Sequence, residues 1–213
     1  MEYEQGVRHI IFTPHDSGTE EPEKAALIQE RFEEVRSQIA GADFPQELHT
    51  ALGAELMYTD SLPERLLSGE ALTMAGSSYV LVEFFPEARY QELYQGMRNL
   101  IHSGYLPILA HIERYDCLIK EQKNLEELKE LGCCLQVNAN TVMGGLLRKR
   151  TRFVRRLLKE GTIDFLSTDA HGSVHRKPEL REASEWVVHH CRISRAMRIL
   201  LKNPRAIWEN YII

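Results

Sequence analysis

Asp169 and His171 stand two residues apart at the end of a short apolar segment, in the stretch IDFLSTDAHGSVHRKP that covers residues 163–178. Alternate residues of a strand point to the same side, so a strand running into this stretch would place the carboxylate beside the imidazole. A cationic residue, Arg176, follows in the same stretch. A carboxylate, an imidazole and a guanidinium in this order suit a metal ion and an anionic substrate.

Other apolar segments also end in residues that can bind metals. His15 follows the segment IIF, Glu55 lies in GAE, Glu83 lies in LVEFF, and AHIERY contains His111. In parallel α/β proteins the functional groups gather at the carboxyl ends of the strands, so these side chains are predicted to meet there. The candidate ligands are His15, Glu55, Glu83, His111, Asp169 and His171.

Each candidate ligand also has an ordinary structural explanation. A histidine at a strand end is often just a hydrogen-bonded structural group, and His15 can stand beside the cap of the following helix, for which Asp16 or Ser17 is suited. The carboxylates of Glu55 and Glu83 are harder to explain in this way, because a buried carboxylate needs a partner. The convergence of histidines and carboxylates from separate segments therefore favours a polynuclear metal site.

The types of the candidate ligands indicate which metals the site can bind and which reaction it can support. A mixed imidazole and carboxylate set is typical of Mn, Fe or Zn and is too rich in nitrogen for ordinary Mg or Ca sites. Two or more such ions, about 3.5–4 Å apart, can clamp a phosphoryl or carbonyl oxygen. Arg114 and Arg176 lie close to the candidate ligands, and a guanidinium matches phosphate oxygens in a bidentate way, although either can form a surface salt bridge instead. The set as a whole indicates hydrolysis of a phosphate ester.

The elements that must position these residues alternate along the chain. Short, almost continuously apolar segments predict parallel strands covered on both faces, and amphipathic segments with a period near 3.6 predict helices between them. MEYEQGV reads as the last turn of a helix that ends at Gly6, and Pro204 suits a first helical turn after Asn203. Strand–helix repetition predicts one α/β domain over residues 1–213, with a parallel sheet either open or closed into a barrel. The predicted strands are 7–13, 49–56, 79–85, 106–112, 134–138 and 163–168, and the predicted helices are 21–40, 88–103, 121–131, 141–160 and a helical region over 179–213.

Composition excludes several classes of protein. The chain has 213 residues, 43% of them apolar, and a net charge of −5, which argues against a general nucleic-acid-binding surface. The sequence shows neither a signal peptide nor an apolar run near the ~18 residues needed to span a bilayer, so we expect a cytoplasmic protein. The cysteines lack CxxC spacing and are expected to be reduced and mostly buried. A cysteine-dependent phosphatase is disfavoured, because Met197, and not an arginine, is the sixth residue after Cys191.

The motifs GVRHIIFTPHD, GAEL, LVEF, PILAHIERY, QVNANTV and STDAHG…RKP resemble the polymerase-and-histidinol-phosphatase (PHP) family. They are most similar to its bacterial manganese-dependent tyrosine-protein phosphatases of capsule and exopolysaccharide synthesis. The resemblance implies a distorted seven-stranded β/α barrel and a di- or trinuclear metal centre, with Mn²⁺ favoured over Fe or Zn. It implies that His15, Glu55, Glu83, His111, Asp169 and His171 are metal ligands and that Arg114 and Arg176 bind phosphate. It also implies that a metal-bound hydroxide attacks phosphorus directly, on the phosphotyrosine tail of a bacterial tyrosine kinase.

The sequence departs from the family pattern at its start. Family members open with a strand that bears a His-x-His pair, followed by an aspartate, and this chain has no His-x-His pair. We therefore expect a barrel without its first strand and with one edge open. We also expect weaker metal binding and impaired catalysis, and association into a homo-oligomer is one way to cover such an edge.

Alternative functions remain open at this point. The same metal chemistry could act on histidinol phosphate or another small phosphomonoester, or the chain could be a kinase-binding module without turnover. The basic run RKRTRFVRR (148–156) is either a solvated helix face or a surface for an acidic, phosphotyrosine-rich tail or an anionic membrane. Phe84 and Phe85, which follow Glu83, either pack in the core or line a pocket for an aromatic ring.

Overall fold

A computed structural model of the chain describes residues 1–18 and 22–213. Its strands are short and lie between helices, as the alternation along the sequence predicts. They are β1 (His9–Phe12), β2 (His15–Asp16), β3 (His49–Leu52), β4 (Glu55–Met57), β5 (Tyr79–Glu83), β6 (Leu106–Leu109), β7 (Cys134–Asn138) and β8 (Phe165–Ser167).

All the strand pairs are parallel. β2, β4, β5, β6, β7 and β8 follow one another in a six-stranded sheet, and β1 pairs with β3 in a separate two-stranded sheet. Both faces of the large sheet are apolar: Val80 and Val82 pack in the main core, whereas Tyr79 and Leu81 pack in a second cluster on the opposite face. The prediction of parallel strands covered on both sides is confirmed.

The α-helices cover the sheet and supply most of the main core. No helix among the described residues combines the length and the hydrophobicity needed to cross a membrane. The helices are α1 (Pro22–Ala40), α2 (Leu62–Ser68), α3 (Tyr90–His102), α4 (Asp116–Lys120), α5 (Gln122–Leu131), α6 (Ala139–Val142), α7 (Lys149–Glu160), α8 (Arg181–His190), α9 (Ile193–Met197) and α10 (Asn203–Glu209), with a π-helical turn at Arg198–Lys202.

The predicted strand 49–56 is wrong as a single strand. The chain forms β3, breaks at Gly53 and Ala54, and resumes as β4 in the other sheet. Gly53 lies so close to Met74 that a Cβ atom would stand 3.1 Å from the Met74 Cα, and its N–H donates to the Phe12 carbonyl. The preceding segment breaks in the same way between β1 and β2, where Pro14 has no N–H to continue a ladder.

The predicted helix 141–160 is also wrong as a single helix. The chain forms the short α6, then a turn around Gly144 and Gly145, then α7. The region 179–213 is helical as predicted, and Pro204 lies in the first turn of α10. The prediction at the start is confirmed: a 3₁₀ turn at Tyr3–Gln5 ends at Gly6, whose φ of 97° is in the left-handed region.

The six-stranded sheet curls into a half-barrel whose edge strands, among the described residues, are β2 and β8. A cavity of about 2080 Å³ lies on its concave side. Apolar side chains of three strands, Leu81, Ile108 and Phe165, line the cavity, and its other end reaches the candidate ligands His15 and His111. The cavity therefore connects the apolar inside of the half-barrel with the polar mouth.

Candidate metal centre

Four of the predicted ligands form one contact cluster at the mouth of the half-barrel. His15 Nδ1 lies 3.3 Å from a Glu55 oxygen and 3.1 Å from a Glu83 oxygen. On the other side, His111 Nε2 lies 2.8 Å from Glu55 and 3.2 Å from Glu83. The two carboxylates are thus placed between two imidazoles, and the ligand atoms of His15, Glu55 and Glu83 all lie within 4.8 Å of one another.

Neighbouring strands bring this cluster together. His15 pairs with Glu55 across β2 and β4, and Glu83 is the last residue of β5. His111 follows β6 in a left-handed conformation, with φ of 34°. His15 and Glu55 are the first residues of β2 and β4, which corrects the expectation that the candidate ligands lie at or near the carboxyl ends of their strands. The break at Gly53 is the reason, because it starts β4 at the level of the mouth.

The remaining predicted residues form a second cluster that adjoins the first. The Asp169 Oδ2 atom accepts hydrogen bonds from Arg114 Nη2 at 2.6 Å and from Asn138 Nδ2 at 2.6 Å, and it pairs with Arg176. Arg176 Nη1 lies 3.0 Å from His171 Nε2. The clusters meet where His171 Nε2 lies 3.0 Å from His15 Nε2.

The structure corrects how Asp169 and His171 come to be neighbours. β8 ends at Ser167, so these residues lie in the following loop and do not alternate along a strand. Asp169 and Arg176 both have left-handed backbones, with φ of 50° and 49°. A hydrogen bond of 3.0 Å from the His171 N–H to the Arg176 carbonyl closes the loop. Residues without a glycine's freedom adopt this conformation at a cost, and such strain is concentrated at functional sites.

The chemistry of the first cluster fits a bound metal. His111 is 2% exposed, and neither of its ring nitrogens has a partner with hydrogen-bond geometry among the described residues, despite the short Nε2 distance to Glu55. Of the two nitrogens, Nε2 faces both carboxylates, and an imidazole nitrogen beside carboxylates is the kind of donor that Mn, Fe and Zn prefer. His15, Glu55, Glu83 and His111 would hold the metal, with Asp169 and His171 beside them.

Without a metal, the carboxylates hold a proton on the buried imidazole. Burial lowers the pKa of His111, but Glu55 and Glu83 outweigh burial and raise that pKa to about 9. Burial in turn raises the pKa of Glu83, but contacts with His111 and His15 outweigh it, so the net pKa is lowered. In the metal-free site, the proton on His111 therefore balances the negative charge of Glu55 and Glu83, and a metal cation can take its place.

Sequence reasoning missed the polar residues that hold the candidate ligands in place. Gln136, buried on β7, accepts the His111 N–H through Oε1 at 2.5 Å and donates through Nε2 to Asn138 Oδ1 at 2.9 Å. Asn138 then donates to Asp169, as described above. The signal was present in the motif QVN, where two amides interrupt a buried strand, because buried amides require partners.

The motif AHIERY acts through each of its last three residues. Glu113 accepts the Asn138 N–H at 2.9 Å, Arg114 donates to Asp169, and the Tyr115 hydroxyl accepts the Phe84 N–H at 3.0 Å. One short turn thereby ties the segment after β6 to β7, to the loop after β8 and to the end of β5. Of these three residues, the sequence analysis assigns a role only to Arg114.

Asp16 and Phe84 have structural roles. Asp16 pairs with Arg65 of α2 at 2.7 Å and accepts the Gly18 N–H at 3.0 Å, which fixes the residue next to His15. Phe84 is buried and stacks on Tyr58 with ring centroids 5.0 Å apart, which agrees with core packing. Phe85 is 68% exposed.

The cysteines take no part in the site. All four are free, and Cys133 and Cys134 are buried while Cys117 and Cys191 are partly buried. Burial raises the pKa of the Cys133 and Cys134 thiols to about 12. A neutral buried thiol is a poor nucleophile, which agrees with the sequence argument against cysteine chemistry.

The family of the chain follows from comparison with known proteins. A sequence profile described as "Capsular polysaccharide synthesis, CpsB/CapC" matches residues 1–209. The chain belongs to the CpsB/CapC family. Its CpsB/CapC relatives include the tyrosine-protein phosphatase CpsB of Streptococcus pneumoniae, 32% identical over 99% of this chain and 88% of that protein. They also include the tyrosine-protein phosphatase YwqE of Bacillus subtilis, 29% identical over 84% of this chain and 70% of that protein.

The CpsB/CapC fold is shared as well. A crystal structure from work on YwqE of Bacillus subtilis and CpsB of Streptococcus pneumoniae, described as unique metal-dependent tyrosine phosphatases, matches with a TM-score of 0.87. That match has 25% identity and covers 100% of this chain and 85% of the other. The resemblance that the sequence motifs suggested is therefore confirmed at the level of the family.

Proposed function

We propose that this protein is a metal-dependent phosphatase that removes phosphate from protein phosphotyrosine in capsule or exopolysaccharide synthesis. The observation that carries the proposal is the meeting of His15, Glu55, Glu83 and His111 beside Arg114 and Arg176 at one mouth. The names of the relatives support it, because they are tyrosine-protein phosphatases of a capsule-synthesis family.

The residues divide into two roles in this proposal. His15, Glu55, Glu83, His111, Asp169 and His171 hold the metal ions. Bound there, Mn²⁺, or alternatively Fe or Zn, would supply Lewis-acid chemistry. Arg114 and Arg176 bind the phosphate oxygens and balance the charge that develops during transfer. Both arginines contact Asp169, so the same carboxylate orients the anion-binding groups next to the metal ligands.

The proposal also covers the domain architecture, the substrate and the cellular compartment. We propose that residues 1–213 form a single domain with a PHP-type barrel architecture. Its substrate is the phosphotyrosine-bearing tail of a bacterial tyrosine kinase in the cytoplasm. Phe85, which follows Glu83 by two residues and is 68% exposed, is suited to contact the phosphotyrosine ring.

The decisive experiment measures metal content and hydrolysis in the same samples. Purified protein is stripped with chelator, reloaded with Mn²⁺, Fe²⁺ or Zn²⁺, and assayed with a phosphotyrosine peptide and with histidinol phosphate. We expect hydrolysis of the peptide only after metal is restored. Faster hydrolysis of histidinol phosphate would indicate a small-molecule phosphatase. Peptide binding without hydrolysis at full metal loading would indicate a binding module.

Two variants separate metal chemistry from other sources of phosphatase activity. His111→Ala should lose bound metal and hydrolysis together, because this imidazole faces both carboxylates of the cluster. Cys191→Ala should keep both, because the cysteines lie outside the site. Full activity in metal-free protein, or in His111→Ala, would contradict the proposal.

A further inference from the structure

Two exposed leucines form the tip of the turn between α6 and α7. The Arg148 N–H donates to the Gly145 carbonyl at 2.9 Å, so Leu146 and Leu147 occupy the two central positions of this turn. Their exposed fractions are 68% and 90%. Central turn positions ordinarily hold Gly, Pro, Asn, Asp or Ser, and adjacent exposed leucines there do nothing for folding.

The turn is held firmly against the helix that follows. Gly144 lies so close to Thr151 that a Cβ atom would overlap the Thr151 hydroxyl, and Thr151 is 1% exposed. The Gly144 N–H also donates to the Thr141 carbonyl at 3.2 Å. The leucines are therefore presented by an anchored turn at a fixed place on the molecule.

Exposed cations without carboxylate partners surround the leucines. Arg148, Lys149, Arg150 and Arg152 are exposed, and none of them forms an ion pair with a carboxylate within the part of the chain that the structure describes. The first turn of α7 contains no acidic residue. Cations at a helix N-terminus oppose the helix dipole, so the fold gains nothing from this arrangement.

The remaining cations of α7 are already engaged. Arg155 donates to the Val142 carbonyl at 2.8 Å and lies over the Trp186 ring, 5.0 Å from its centroid. Lys159 lies 5.6 Å from the same ring, and Arg156 contacts Gln122 and Glu160. Apart from Arg152, the arginines and the lysine that line the shallow depression of about 560 Å³ beside Leu146 are these engaged side chains, and Glu160 adds a negative charge there, so the depression is poorly suited to bind an acidic peptide.

The turn is connected through α6 to the carboxyl end of β7, near the candidate metal centre. β7 ends at Asn138, which donates to Asp169, and α6 and the turn follow directly from that carboxyl end. α6 thus leads from the strand that carries Asn138 to the turn that carries the leucines. We refer to residues 146–152 as the leucine–arginine patch.

We propose that the leucine–arginine patch binds the surface of an anionic membrane. Leu146 and Leu147 enter the boundary of the acyl chains, and the four cations meet lipid phosphates. Protruding apolar tips flanked by free cations fit a broad anionic surface, whereas a peptide requires a groove with free partners. The chain carries a net charge of −5, so attraction through this patch also orients the protein. The inference stands independently of the proposed phosphatase activity.

The test is sedimentation of the full chain with vesicles. The vesicles contain either phosphatidylcholine alone or equal parts of phosphatidylcholine and phosphatidylglycerol. We expect binding to the anionic vesicles that weakens with salt. Leu146→Ser with Leu147→Ser should reduce partitioning about tenfold or more. Arg148→Gln with Lys149→Gln and Arg150→Gln should reduce it on the order of a hundredfold.

Two further variants serve as controls for the role of the leucines. Leu67→Ser changes a leucine that is 85% exposed on α2 and should leave partitioning unchanged. Leu146→Trp keeps the apolar character and should show a blue-shifted emission on anionic vesicles that the parent protein lacks. Hydrolysis of a soluble phosphotyrosine peptide should be the same in the patch variants and the parent.

Three outcomes would overturn the inference. The first is the absence of binding to anionic vesicles by the folded parent protein. The second is binding that survives loss of both leucines and responds only to charge. The third is binding of an acidic phosphotyrosine peptide that requires the same side chains, in the absence of vesicle binding, because the partner would then be a protein.

Discussion

Asp169 is the residue on which the two proposed phosphate-binding arginines converge. Its Oδ2 atom meets Arg114, Arg176 and Asn138, while its side chain is only 8% exposed. A single carboxylate oxygen with three donors is strongly held, so the arginines are oriented before any anion arrives. The left-handed backbone at Asp169 and Arg176 is the strained conformation that permits these contacts.

Arg176 is predicted to affect phosphate handling more than metal binding. Its guanidinium is 39% exposed and lies beside His171, so it can reach an incoming phosphate. Arg176→Ala should lower kcat/KM for a phosphotyrosine peptide by about a hundredfold. Bound metal per chain, measured by elemental analysis, should stay unchanged. Lys177→Ala is the matched control, and loss of metal in Arg176→Ala would show that the arginine is a structural partner of Asp169.

His111 is predicted to make the folding stability of the metal-free protein depend on pH. Its pKa is raised from 6.5 to about 9, because the carboxylates of Glu55 and Glu83 outweigh burial. A raised pKa in the folded state contributes stability that is fully present below pH 6.5 and is lost as the pH rises towards 9. The free energy of unfolding of the metal-free protein, measured with urea, should fall by on the order of 3 kcal/mol across this window.

The matched variants separate His111 from the other histidines. His111→Gln should remove most of the pH dependence between pH 6.5 and 9, whereas His102→Gln, on the exposed face of α3, should retain it. Metal affinity should change in the opposite direction, rising with pH, because a metal and a proton compete for the same imidazole. Equal pH dependence in the two variants would contradict this assignment.

At the scale of the elements, the sequence predicts what depends on neighbouring residues in the chain. The strands were found because both of their faces are apolar, as Tyr79 and Val80 illustrate by packing on opposite sides. The break at Gly53 was not found, because it depends on the approach of Met74, which is distant in the sequence. The candidate ligands that meet at the mouth could be named from their types and positions, but the partners of Asp169 could not, because the loop after β8 leaves the strand geometry.

Gln136 of β7 is predicted to link folding and metal binding. It is 4% exposed, accepts the His111 N–H, and donates to Asn138 and Ser167. Gln136→Leu leaves these groups without partners and should lower the free energy of unfolding by about 1–3 kcal/mol. Metal affinity, measured by calorimetric titration, should fall about 10–100-fold, because the residue orients a ligand.

The control for Gln136 is another buried amide. Asn124 of α5 is 7% exposed and donates to the Cys117 carbonyl at 3.0 Å, outside the site. Asn124→Leu should also reduce stability but should leave metal affinity unchanged. Gln136→Glu keeps an oxygen acceptor for the His111 N–H and should recover part of the affinity. Equal losses of metal affinity in the two leucine variants would mean that destabilisation alone explains the effect.

At the scale of the whole molecule, the candidate metal centre joins side chains from successive strands of the six-stranded sheet. The candidate ligands come from β2, β4, β5 and the segment after β6, and the second cluster adds the loop after β8. The concave side of the half-barrel is occupied by a cavity of about 2080 Å³, so packing there is thin. Cross-linking by a cation at the mouth should therefore stabilise the whole sheet.

Metal removal is predicted to lower the melting temperature. At a free Mn²⁺ concentration a hundred times the dissociation constant, binding to the folded state adds about 2.7 kcal/mol. For a chain of this size, that corresponds to a rise in Tm of about 5–10 °C. Differential scanning calorimetry with chelator and with increasing Mn²⁺ measures the shift. Glu55→Gln with Glu83→Gln should abolish it, since the amides cannot replace the anionic ligands, whereas Glu33→Gln on the exposed face of α1 should preserve it. A shift that persists in the double variant would place the stabilising cation elsewhere in the molecule.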